Sequence, residues 1–163
     1  MHPIHSKLAT LLLLLNCMTF SVQAATEMPI AENLEKTAQT AQERQIPIAI
    51  LIDFRGLKST QNLKEEAIYP NLLSGQFDQA ALFREIQVNT DGTTIDFYGE
   101  PLANSEYQTF FNVTSLPIMV FVDAEGNQLT TPLIAGNYEF YGHYLKRKLN
   151  EALQALGNPL RLD

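Results

Sequence analysis

The chain has 163 residues, 45% hydrophobic and 18% charged, a globular balance that excludes a disordered or collagen-like chain. Its 18 acidic residues outnumber 11 basic ones, for a formal net charge of -7, and an acidic surface repels phosphate, which argues against nucleic-acid binding. The length fits one domain, or one domain plus a processed end, and about 140 residues bury a sizeable core without staples.

Residues 1–24 read as a secretion signal. Lys7 supplies the positive charge, Leu11 to Leu15 centre the apolar run, and Val22-Gln23-Ala24 suits cleavage before Ala25. The run is short for a membrane span, which needs about 20 residues, so no stable span is expected after cleavage. Two alternatives stay open at this point. The segment can be retained as an anchor, or Cys17 can carry a lipid, although Asn16 is a poor residue just before a lipidated Cys. Cleavage removes Lys7, Cys17, His2 and His5 and leaves a net charge of -8, one histidine (His143) and no cysteine. A chain without a thiol cannot use a protein thiolate or a His/Cys zinc site. No metal and no cofactor are expected.

The remaining chain alternates helices and strands. Residues 31–45 form a polar helix with a thin apolar stripe at Leu34, Ala38 and Ala41. Pro47 opens the run Ile48-Ala49-Ile50-Leu51-Ile52, a strand apolar on both faces that ends at Asp53-Phe54. Arg55-Gly56 is a turn, and Ser59 or Thr60 caps the next helix, which Pro70 should kink or interrupt and Ser74-Gly75 ends. Residues 82–88 form a second strand, 89–99 a polar connection, 103–111 a short helix and 118–122 a third buried strand. Gly126 suits a tight return into a strand over 128–134, and 138–156 closes as a helix with Tyr141, Leu145, Leu149 and Ala152 on one face. This order predicts an α/β sandwich with a mixed sheet, two parallel crossovers first and an antiparallel hairpin last.

At Leu63-Lys64-Glu65-Glu66 through Pro70, Leu72-Leu73-Ser74-Gly75, Ser115-Leu116-Pro117, Phe121 to Asn127 and Phe140 to Leu145, the chain resembles the thioredoxin superfamily. Within it, the chain is most similar to exported thioredoxin-related proteins of Gram-negative bacteria. The resemblance covers about residues 46–156 and implies a three-layer α/β/α sandwich, with 25–163 as one thioredoxin-like domain in the periplasm. Members usually carry Cys-x-x-Cys where the first central strand turns into its helix. The helix end lowers the first thiol's pKa, and the second thiol resolves the mixed disulfide. Here the turn reads Leu57-Lys58-Ser59-Thr60-Gln61-Asn62. Counting from Asp53-Phe54 places the pair at Ser59 and Asn62; counting back from Pro70 places it at Leu57 and Thr60. Neither register holds a Cys, so dithiol–disulfide exchange is excluded.

The resemblance also implies that Pro117 is the family's cis proline and that the backbone of Leu116 pairs with an extended peptide. The alternative is a trans proline that merely opens a strand. Asp53 matches the family's buried acid, whose proton partner, the second Cys, is absent here. Otherwise it is a strand-end carboxylate bonded to Lys58 or Arg55. His143 falls on the solvated face of the last helix, Asp91-Gly92 and Asp96 read as a turn, and Tyr138, Tyr141 and Tyr144 as core and rim.

Two function classes follow. One is a redox-inactive binding or accessory module that holds an unknown periplasmic protein or peptide along the Leu116-Pro117 edge by strand addition. The other is a glutathione-binding, transferase-like enzyme that uses the hydroxyl of Ser59 or Thr60 to stabilise glutathione thiolate.

Overall fold

The computed structural model describes residues 27–136 and 138–163; the signal segment 1–24, the cut before Ala25 and Cys17 lie outside the described residues. Strand β1 (Ile48–Asp53) is buried along its whole length. Its side chains alternate between two cores, as a pleated strand requires. Ile48, Ile50 and Ile52 join one cluster, and Ala49 and Leu51 join the other. Helix α1 (Leu34–Arg44) covers the first cluster, together with the short α4 (Tyr107–Phe110). The second lies under α2 (Lys58–Leu63), α3 (Tyr69–Leu73) and α5 (Tyr138–Ala155). The result is a three-layer α/β/α sandwich.

The central sheet runs β2-β1-β5-β6, with β2 at Leu82–Gln87, β5 at Ile118–Val122 and β6 at Leu133–Ile134. It is mixed, as expected, but only β1 and β2 are parallel; β5 runs antiparallel to β1, with Ile52 opposite Ile118 and Ile48 opposite Val122. The second parallel crossover is therefore corrected. The chain leaves β2 beside Asp53 and enters β5 beside Ile52, at the same end of the sheet. The helix in this connection, α4, has only four residues and spans about 6 Å.

Other elements differ in detail. Asn33 caps α1 by accepting the Lys36 amide at 2.8 Å, so the helix starts three residues later than 31. The freed segment runs beside the outer edge of β2, where the Ala31 amide donates to the Glu85 carbonyl at 2.8 Å. The polar connection after β2 holds a small hairpin, β3 (Thr93–Ile95) with β4 (Pro101–Ala103). The strand expected over 128–134 is reduced to Leu133–Ile134 and an isolated bridge at Gln128. Gly126 takes φ +83 in the turn, as its placement required. Among the described residues, no helix is long and apolar enough to cross a membrane.

Candidate functional site

The site grows from the ends of β1 and β2. The pleat that puts Leu51 and Phe83 in one core puts Asp53, Glu85 and Gln87 on the same face beyond them. After Asp53 the chain turns at Gly56, whose φ of +84 suits a residue without Cβ. Leu57 caps α2 without a side-chain bond, and α2 begins at Lys58. Ser59 and Thr60 therefore sit inside the helix and are not its caps, which corrects that expectation. Thr60 and Leu63 turn inward, Ser59 and Asn62 are half-buried, and Leu57 and Lys58 face solvent.

Pro70 does interrupt the helix, through a π turn over Lys64–Ile68. Proline has no amide to give the Glu66 carbonyl, and the Tyr69 amide reaches back five residues to the Lys64 carbonyl instead. Lys64 begins this turn and extends over the strand ends. Its Nζ lies 2.5 Å from Glu85 Oε1 and 3.5 Å from Asp53 Oδ2. Gln87 donates to the same Glu85 oxygen at 2.6 Å. Asp53 and Glu85 are 1% and 2% exposed. Asp53 thus pairs with Lys64 rather than with Lys58 or Arg55. Arg55 is held instead by Asn89, whose side chain accepts its amide at 2.6 Å and donates to its carbonyl at 3.1 Å.

The electrostatics follow from burial. Loss of water pushes the Asp53 carboxyl up to about 7, the nearby Glu85 charge adds to this, and the Lys64 ammonium pulls the other way. Burial alone would lower Lys64, but its bond to Glu85 and the two carboxylate charges hold it above its ordinary value. Among the described residues, Asp53 Oδ1 and Thr60 Oγ1 are buried without a hydrogen-bond partner. Both residues line a cleft of about 470 Å³, which Lys64 and Glu85 also line. At 40% and 36% exposure, Phe54 and Leu57 present apolar surface to the same cleft.

The Leu116–Pro117 bond is cis. Pro117 is buried and Leu116 half-buried, and neither lines the cleft. They stand on the β5 side of the turn, next to the Ile52–Ile118 pair, whereas the cleft opens on the β2 side. Among the described residues, neither the amide nor the carbonyl of Leu116 has a backbone partner. The structure therefore brings Asp53, Leu57 and Thr60 together in the cleft, which Leu116 and Pro117 do not line.

Sequence reasoning passed over Lys64 and Glu85 as site residues. The available signal was the pair Arg84-Glu85 in mid-strand. In a strand covered on both faces, adjacent charges point to opposite layers, and each needs an internal partner. His143 is exposed, Tyr141 is buried and Tyr144 lies under the Arg147 guanidinium at 5.0 Å. Asp96 accepts the amides of Tyr98 and Glu100, as a turn residue does.

No family model matches the chain, and no curated protein matches it. Solved structures do. A DsbH oxidoreductase is 16% identical, with a TM-score of 0.58, over 77% of this chain and 87% of that one. A thioredoxin from Fasciola hepatica is 14% identical, with a TM-score of 0.50, over 74% of this chain and 99% of that one. At these identities the likeness is one of architecture: the chain has the thioredoxin fold.

Proposed function

We propose that this protein is a redox-inactive, exported binding module that uses the thioredoxin fold to hold an extended segment of a periplasmic partner. One observation carries the reading. The turn that should present two thiols offers Ser59 and Asn62 in one register and Leu57 and Thr60 in the other. Hydroxyl, amide and alkyl groups have no disulfide chemistry, so what the fold retains is a surface. The backbone of Leu116, without a backbone partner among the described residues, supports the choice of surface, because a free amide and carbonyl beside a strand accept an added strand.

The test places a photo-crosslinking amino acid at Leu116 and, in a second strain, at Glu125 in the far turn. The Leu116 probe should give one discrete adduct in intact cells. A peptide from that partner should then slow hydrogen exchange at the Leu116 amide in the purified protein. Identical adducts from both probes, or an unprotected Leu116 amide, would overturn the reading.

A further inference from the structure

The cleft over Asp53 is not lined by Leu116 or Pro117 and is built differently from that edge. Its walls and floor carry four acids, Glu27, Asp53, Glu65 and Glu85, against two bases, Arg55 and Lys64. Lys64 is engaged by both Glu85 and Asp53. The floor is nevertheless incomplete. Asp53 and Thr60 are 1% and 3% exposed, and each keeps one oxygen without a partner among the described residues. Leaving such a group unpaired costs on the order of 1–3 kcal/mol, and more for a charge. What the floor lacks is hydrogen-bond donors and positive charge. Above it, Ile30, Phe54 and Leu57 expose apolar surface at the cleft. An occupant that satisfies both levels has an apolar stem and a cationic, multi-donor head.

We propose that this cleft binds the side chain of a lysine or arginine presented by a polypeptide, with the methylene stem against Phe54 and Leu57 and the head at Asp53 and Thr60. Lysine and arginine stems pack on apolar surface while their heads seek polar partners. The head brings three or five N–H donors. One satisfies the open Asp53 oxygen and another the Thr60 hydroxyl. Charge complementarity selects the class: an acidic side chain would meet Glu27, Glu65 and Glu85, and an apolar one would leave the open Asp53 oxygen without a donor.

The cation and the proton compete for Asp53. The charged groups facing it are Glu85 from β2, Lys64 and Glu65 from the π turn, Arg55 from the loop and Glu27 from the N-terminal segment. Among these, Asp53 is the carboxyl held near 7. Its ionised fraction falls about tenfold between pH 8 and pH 6, so affinity should fall by about the same factor.

The experiment titrates the purified protein with acetylated, amidated tripeptides of the form Ala-X-Ala, with X lysine, arginine, norleucine or glutamate, and follows amide NMR signals. The lysine and arginine peptides should move the signals of Gly56, Thr60 and Glu85 and leave that of Leu116 in place. Norleucine, which keeps the stem without the head, and glutamate should bind at least tenfold more weakly. Asp53→Asn and, separately, Thr60→Val should each weaken lysine-peptide binding, the first by at least tenfold, and Asp53→Asn should abolish the pH dependence. The proposal is overturned if norleucine binds as well as lysine, if Asp53→Asn binds unchanged, or if no peptide moves these signals at millimolar concentration. A shift confined to Leu116 would overturn the cleft proposal and leave the edge reading standing.

Discussion

Replacing Asp53 with Asn should change how stability depends on pH more than it changes the fold. The folded-state pKa of Asp53 is about 7, against an ordinary value of 3.8. The folded protein therefore holds a proton that the unfolded chain has released. Proton binding stabilises the fold most below pH 4, and that stability is lost as pH rises toward and through 7. The full difference corresponds to about 4 kcal/mol, at 1.36 kcal/mol per pH unit. Between pH 5 and pH 8 the loss from this group is about 2.5 kcal/mol. Asn fills nearly the same volume and does not titrate, and Lys64 keeps its bond to Glu85. The assay is urea unfolding at pH 5, 6, 7 and 8 for both proteins. The stability of the wild type should fall relative to the variant by about 2.5 kcal/mol across that range, a midpoint change of about 1–2 M urea. Parallel curves for the two proteins would refute the reasoning, because Asp53 would then not titrate in this window.

Three further outcomes are expected. Gly126→Ala should lower stability by at least about 1 kcal/mol in thermal unfolding, because the new Cβ would stand 2.7 Å from the Phe97 ring on a backbone of φ +83. Ser59→Ala should stay within about 0.5 kcal/mol of the wild type, since Ser59 lies inside α2 and caps nothing; it should also leave any glutathione turnover unchanged, and a loss of such turnover by orders of magnitude would revive the transferase reading. Mature protein should begin at Ala25 by N-terminal sequencing and fail to reduce insulin disulfides, whereas a start at Met1 or a lipid on Cys17 would contradict the processing reading.

What the sequence determined by itself were the features that local chemistry controls. A continuous apolar run such as Ile48 to Ile52 has no polar face to turn to water, so it forms a buried strand wherever it is placed. The 3.6-residue spacing of Tyr141, Leu145, Leu149 and Ala152 defines a helix face before any partner is known. Gly126 and Pro70 announced their turn and their break, because positive φ and a missing amide are properties of single residues. The absence of a cysteine from the turn over residues 57–62 is likewise complete in the sequence. Tertiary structure alone decided the direction of β5, which depends on where the chain stands after β2 and not on the residues of β5 itself. It also decided the partner of Asp53. Lys64 is 11 residues further along the chain and Glu85 another 21, and nothing local distinguishes Lys64 from the solvated Lys58. Their meeting requires the parallel register of β1 and β2, which sets Asp53 beside Gln87 and one pleat from Glu85, and the π turn, which begins at Lys64. Burial of that meeting point moves the carboxyl toward neutral pH, and burial is a property of the assembled layers.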